Sequence, residues 1–376
     1  MLKELKIFGI VAAFTLVLYW GVEPFAHSQM HKHVDYLDLI YDGKADIAEA
    51  EAKYVAAKDT NMTAEKIAAA EATVKNKKEF WKGVADIAKL QGNIEAGAGG
   101  FAMCGGCHME GGPNMNGVIP PPLHNAGVIY TKEYLIALIK DPAMAMNTDH
   151  KFADTSMHPM GSIKGMFADN QSIADTVAYI MDTTKTYKES MEKKAAEETK
   201  AKVAKLAEVG EELSADDIKE MHALKLSEIT SKDAYMQACA RCHANRYGKI
   251  TQLGDIPKFK SEKDTLAYKI KIIEEQDLVK EYMGKIPPDL SIIIRARGHH
   301  FLETFIENPQ SQLAGTAMPR VGLSKAGMDS VMHYLQMTGD PSKPAREELG
   351  PKVLLFFLIF TILAYLWKKA MWKGHY

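Results

Sequence analysis

Two stretches of one pattern organise the chain: Cys104-Gly-Gly-Cys107-His108 and Cys239-Ala-Arg-Cys242-His243. On a helical turn, residues three and four apart share a face. Thiols at i and i+3 can then each form a thioether to one vinyl arm of a haem, and the histidine at i+4 meets the iron. The pattern reads as covalent attachment of c-type haem. Cys104 with Cys107 and Cys239 with Cys242 are the thioether pairs, and His108 and His243 the proximal ligands. Two rivals share a bare Cys-x-x-Cys. A structural zinc site needs further ligands at matched spacing, and a thiol–disulfide pair needs no histidine directly after its second cysteine. The chain has 4 cysteines and the two motifs use them all, so none is left for a disulfide. The expected cofactors are two covalently bound haem c groups.

The chain has 376 residues, more than one small domain needs. Its net charge of -2 argues against a nucleic-acid partner. Most of its 21 methionines read as core filler. An uncharged run from Ile7 to Val22, extended by Phe25 and Ala26, follows Lys3 and Lys6. With Tyr19 and Trp20 near its end it reads as an uncleaved anchor, a cleaved signal peptide being the rival. A second uncharged run, Val353 to Trp367, has no polar face and is followed by Lys368, Lys369 and Lys373. It reads as a second anchor, the rival being a buried core helix. The lysines place both termini in the cytoplasm, so the haem-bearing part lies in the periplasm of a bacterial inner membrane, with the lipid bilayer as one partner.

The expected fold is all-α, with two class I cytochrome c domains in tandem. The divisions are an N-terminal transmembrane anchor (1–26), a helical stalk (27–94), a first cytochrome c domain (95–185), a charged helical linker (186–225), a second cytochrome c domain (226–345) and a C-terminal transmembrane anchor (350–372). The stalk and linker are Ala/Glu/Lys-rich, as helix formers are. No chemistry is read in either, and the linker is expected to set the distance between the haem domains. Thr131 and Ser214 are expected N-caps, and the helix after Thr131 should stop near Asp141-Pro142.

The sixth iron position decides between electron transfer and reactivity. Met318, in Thr-Ala-Met-Pro before the terminal helix, has the form of a methionine ligand loop stiffened by Pro319. In the first domain Met157-His158-Pro159-Met160 offers several candidates. Met318 precedes Tyr334 by 16 residues; taking Tyr179 as the equivalent tyrosine, Met160 precedes it by 19 and Met157 by 22. Met160 is the expected ligand, with Met157 its main rival; His158 would give a bis-histidine haem, and Met166 sits close to the tyrosine.

The stretch Ile286-Pro287-Pro288-Asp289-Leu290-Ser291, followed by Arg295-Ala296-Arg297, resembles cytochrome c1 of the ubiquinol–cytochrome c reductase (cytochrome bc1) complex. That family has a C-terminal anchor after its haem domain. The resemblance covers the second domain and last anchor. It implies an electron-relay subunit with no catalytic side chains of its own. Its partners would be cytochrome b and the Rieske iron–sulfur subunit, and a downstream oxidase or soluble cytochrome would receive the electrons. Pro288 can open a helix that Gly298 ends, and Arg295 or Arg297 can hydrogen-bond a haem propionate or be surface arginines. Two haems and an N-terminal anchor depart from cytochrome c1 and are similar to the two-haem variant of some bacterial complexes. The opening Tyr19-Trp20-Gly21-Val22-Glu23-Pro24, the helical stalk and the diffuse layout also look like the di-haem subunit of a cbb3-type oxidase, which lacks the C-terminal anchor. A di-haem peroxidase, which needs an open distal site, and a haem-based sensor are weaker readings.

Overall fold

The computed structural model describes residues 2–23, 25–26, 43–60, 62–108, 120–148, 150–152 and 157–373. The first part of the expected stalk, 27–42, lies outside the described residues. The described chain is mostly helical. Its strands are a small antiparallel hairpin, β1 (Ile250–Thr251) and β2 (Gly254–Asp255).

Among the described residues two helices are long and apolar enough to cross a membrane. The first, Lys3–Val22, comprises most of α1 (Leu2–Val17) and a π-helical turn, Leu18–Val22. The other is α15 (Lys343–Met371), which continues through Pro351. Neither spanning window buries a residue against the rest of the chain. Apolar side chains project all round both, as they do where lipid is the surrounding medium.

Helices α2 (Lys44–Asp59) and α3 (Ala64–Ala88) pack on each other. Phe80, Trp81, Val84 and Ile87 of α3 are buried in the main core, which this hairpin closes on one side. Next come α4 (Ile94–Gly105), α5 (Ala126–Ile129), α6 (Lys132–Lys140), α7 (Pro142–Ala145) and the long α8 (Asn170–Glu208). Thr131 caps α6, its hydroxyl accepting from the Tyr134 N–H at 3.1 Å, and α6 stops at Asp141-Pro142. The axes of α4 and α8 come close because glycines line the crossing. A Cβ on Gly97 would overlap the Asp175 carbonyl, and one on Gly100 the Thr176 hydroxyl.

Helix α8 runs unbroken past residue 185 into the charged stretch. After a turn, α9 (Ala215–Ala238), capped by Ser214 and Asp217, packs back along it. The charged stretch is thus the tip of a helical hairpin. The expectation that it spaces the parts carrying the two Cys-x-x-Cys-His stretches is corrected, because those parts touch directly. The Ser324 N–H donates to the Ile129 carbonyl at 2.7 Å and the Arg320 N–H to that of Met146 at 2.8 Å. Buried apolar side chains from both parts fill the shared core.

After α9 come the hairpin, α10 (Glu262–Met283), α11 (Ile293–Ala296), α12 (His299–Glu307), α13 (Pro309–Gln312) and α14 (Lys325–Gly339). Helices α11, α12 and α13 repeat α5, α6 and α7 in length, each starting 167 residues later (Ala126 and Ile293, Lys132 and His299, Pro142 and Pro309). The repeated marks are Pro-Pro-x-Leu at 120–123 and 287–290, an aromatic-Leu pair at Tyr134-Leu135 and Phe301-Leu302, and Asp141-Pro142 against Asn308-Pro309. The expected helix from Pro288 to Gly298 is corrected. Asp289 accepts from the Ser291 N–H at 2.9 Å and holds that stretch as a turn. Helix α11 starts only at Ile293, and Gly298 begins α12 instead of ending its predecessor.

Candidate functional site

Each Cys-x-x-Cys-His stretch closes a helix. Cys104 is in the last turn of α4, and Cys239 caps α9. The turns match bond for bond. The Cys107 and His108 N–H groups donate to the Cys104 carbonyl at 3.1 and 2.9 Å, and those of Cys242 and His243 to the Cys239 carbonyl at 3.1 and 2.9 Å. Both turns thus give the two thiols and the imidazole the i, i+3, i+4 spacing on one turn that thioether attachment requires.

The histidines are fixed alike. His108 Nδ1 lies 2.7 Å from the Pro121 carbonyl oxygen, and His243 Nδ1 lies 2.8 Å from that of Pro288. An Nδ1–H donated to a carbonyl sets the tautomer and leaves Nε2, with its lone pair, for a metal. Burial pushes the pKa of both histidines down, against the opposing pull of the two proline carbonyls. A neutral imidazole is the form that binds iron. Burial also drives the Cys104 thiol up and that of Cys239 up to about 12, so neither is set up as a reactive thiolate. This donor set fits covalent haem and offers no fourth ligand for zinc; among the described residues no group of three or more His, Cys, Asp or Glu side chains could hold a metal ion.

An aromatic pair backs each turn. Phe101 meets Tyr179 of α8 at 5.0 Å between ring centres, and Tyr235 meets Tyr334 of α14 at 4.7 Å. The two tyrosines used above to align the methionines therefore occupy matching places.

The loops carrying the sulfur candidates differ. Met318 is half-buried, and Arg320, two residues on, is wholly buried. In the first loop Met160 is half-buried, whereas Met157 is 66% and Met166 50% exposed. His158 is buried with both ring nitrogens engaged. Nδ1 accepts from the Met160 N–H at 3.1 Å and Nε2 faces Met146 Sδ at 3.1 Å. Burial lowers its pKa to about 4.

Arg295 and Arg297 lie away from these turns' hydrogen bonds. Arg295 Nε is 4.0 Å from Asp340, in a cleft also lined by His299, Lys343 and Arg346 at the start of α15. Arg297 stacks over Phe301. Residue-type reasoning missed Pro121 and Pro288 as carbonyl acceptors, for which the repeated Pro-Pro-x-Leu was the available signal. It also missed Asp233 of α9. That carboxylate takes the Asn125 amide at 2.6 Å and His124 Nε2 at 3.1 Å, tying the segment after Pro121 to the helix that carries Cys239.

Comparison with known proteins bears on the first turn directly. Residues 94–184 match the family model for cytochrome c, a stretch from the start of α4 into α8. The ammonia monooxygenase gamma subunit of Nitrosomonas europaea is 27% identical over 212 residues, covering 44% of this chain and 90% of that protein. A solved chain of a hyperthermophilic respiratory complex III is 22% identical with a TM-score of 0.32, covering 39% of this chain and 75% of that one. With Cys104, Cys107 and a correctly oriented His108 inside the matched stretch, residues 94–184 are a cytochrome c domain, with covalent haem c and electron transfer as its chemistry.

Proposed function

We propose that the protein is a membrane-anchored di-haem c-type cytochrome that relays single electrons. The observation that carries this reading is the duplicate clamp, His108 on Pro121 and His243 on Pro288, each with Nε2 left for iron. The second turn lies outside the stretch matched by the cytochrome c model, and its claim to a haem rests on that geometry. Met318 and Met160 are the proposed distal ligands. The exposure of Met157 and Met166 and the engagement of both His158 nitrogens favour Met160 over its rivals. A closed His/Met iron passes electrons and does not activate small molecules. The protein supplies ligation, burial and orientation, and the redox chemistry belongs to the haem.

The two terminal helices serve as membrane anchors, with the haem-bearing body on the periplasmic side. Glu4, near the start of α1, is within electrostatic reach of Lys368, near the end of α15, which suits two antiparallel crossings with both termini on one side. In the cytochrome c1-like reading, the second haem takes electrons from a Rieske iron–sulfur protein beside cytochrome b, and the first passes them towards an oxidase or a soluble cytochrome. Arg295 and Arg297 are proposed propionate partners only in that reading. The similarity to an ammonia monooxygenase gamma subunit favours a second reading, a redox subunit attached to an oxygenase.

Purification of the full chain in mild detergent, with haem counted by mass and by the absorbance of the pyridine adduct, tests the core of the proposal. Two haems per chain are expected, and one after Cys104→Ala with Cys107→Ala. A single haem in the unaltered chain would sink the relay. Cytochrome b and a Rieske protein co-purifying would support the first partner set; oxygenase subunits would support the second, and a copper-containing oxidase core would overturn both.

A further inference from the structure

We propose that the buried Asp46–Arg320 ion pair is a positioning device for Met318, through which the N-terminal helical hairpin governs distal ligation of the second haem. The proposal rests on the reading of Met318 as a ligand. Arg320 and Asp46 are each 1% exposed. Arg320 Nη1 donates to Asp46 Oδ2 at 3.1 Å and Nη2 to Oδ1, a two-pronged grip on a planar carboxylate. Trp81 Nε1 of α3 donates to the same Oδ2 at 3.0 Å. Asp46 is in the first turn of α2, far from Arg320 in sequence, so the pair joins the hairpin to the loop across the core.

The loop is gripped at the backbone as well. The Arg320 N–H donates to the Met146 carbonyl at 2.8 Å, and the Arg320 carbonyl accepts from Tyr134 Oη at 3.0 Å. Gly322, at φ +72°, lies so close to the Tyr134 ring that a Cβ would overlap it. Side chain, N–H and C=O of Arg320 are thus all fixed, and Pro319 allows little torsional freedom between Arg320 and Met318. A movement of Met318 away from its place must drag Arg320 with it or strand a buried carboxylate, and an unpaired buried charge is strongly unfavourable. The first loop is tied by the buried His158 ring, and its ion pair is the more exposed of the two. Lys164, half exposed, reaches Asp141 at 2.7 Å, and Met157 and Met166 project outward.

The test uses the full-length protein in detergent. Asp46→Asn keeps the shape and removes the charge; Arg320→Lys keeps the charge and removes the fork; Trp81→Phe removes one hydrogen bond. Three signals are read: the near-infrared sulfur-to-iron charge-transfer band of the ferric protein, carbon monoxide binding by the reduced protein, and the midpoint potential of each haem. Asp46→Asn is expected to keep both covalent haems, lose the band from one, and bind about one carbon monoxide per chain. The reduced-to-oxidised ratio of that haem at fixed potential should fall on the order of tenfold, ~59 mV for one electron. Arg320→Lys and Trp81→Phe are expected to follow with smaller losses in that order. A folded Asp46→Asn protein with both bands and both potentials intact would overturn the proposal. If that variant does not fold, the other two decide: graded losses support the device, and no loss in either overturns it. Met318→Leu separates the layers. Band loss there with none in the clamp variants rejects the device alone, and an intact band in Met318→Leu rejects the ligand assignment and the device with it.

Discussion

At the first turn His108 is held by a carbonyl 13 residues further on, and at the second His243 is held by one 45 residues further on. The bonds nevertheless measure 2.7 and 2.8 Å. The extra residues of the second site form the β1–β2 hairpin and α10, which leave the clamp untouched. Loop length contributes only slowly to the cost of closing a loop, so a long insertion is tolerated where its two ends stay fixed. What cannot vary is the pair of groups that orient the imidazole. The loops proposed to carry the distal ligands show the opposite behaviour. The loop at Met318 is locked by Asp46, Met146 and Tyr134, whereas the loop at Met160 leaves two of its methionines largely exposed. The two turns share the geometry proposed to attach a haem and differ in what would hold the proposed sixth ligand.

The largest effect that could break the equivalence of the turns is loss of a haem. His108→Ala and His243→Ala should each leave the other site's haem in place, read as one haem per chain by mass. Loss of both from either variant would mean that the sites do not form independently. Next in size is helix packing. A Gly→Ala change inside a helix ordinarily stabilises by about 0.5–1 kcal/mol. At Gly97 the sign should reverse, with a loss of about 1–3 kcal/mol, because the added methyl meets the Asp175 backbone. The second crossing packs Ala234, 1% exposed, and the Tyr235–Tyr334 pair where the first uses glycines. Ala234→Gly should therefore cost only about 1 kcal/mol, part helix propensity and part lost packing. Denaturant unfolding of the two variants measures both; a stabilised Gly97→Ala protein would show that the close crossing is not required.

Much of this was legible in the sequence because it depends on residues close together. The cysteine turns, the caps at Thr131 and Ser214 and the apolar end helices are local patterns, and the structure has them. The relation between the two halves was not legible from the linker's composition. A run of Ala, Glu and Lys specifies helix, but not whether that helix extends outward or folds back. The reversal of α9 along α8 is fixed by a short turn and by contacts between the two helices such as Lys225–Glu198 and His222–Glu192, while His124–Asp233, 109 residues apart in sequence, ties α9 to the segment before α5. The Asp46–Arg320 pair spans 274 residues and breaks no local rule, so nothing nearby marks either residue. The repeat of α5 to α7 in α11 to α13 was present as Pro-Pro-x-Leu and Asx-Pro at a constant offset. These marks carry at residue level the repeat in layout expected of two tandem domains.

Asp233 offers a smaller and more selective way to sharpen the comparison, because it joins the two sites and belongs to neither. Burial pushes its pKa up, but hydrogen bonds and charge from His124, with bonds from Tyr187 and Asn125, outweigh this and leave it below 3.8. A carboxyl whose pKa is depressed on folding stabilises the fold above its unfolded value and loses that contribution as pH falls through the folded value. Asp233→Asn should therefore cost about 1–2 kcal/mol near neutral pH, with the difference from the unaltered protein shrinking below about pH 4. Denaturant unfolding at pH 7 and pH 3 reads both. If the deficit were the same at the two pH values, the carboxylate charge would not be the tie. Because the bond joins the segment following Pro121 to the helix of Cys239, the variant should leave haem content at its original value while loosening one half from the other. A fall in unfolding cooperativity without haem loss would show that attachment is a property of each turn and that rigidity between the turns is added by contacts such as this one.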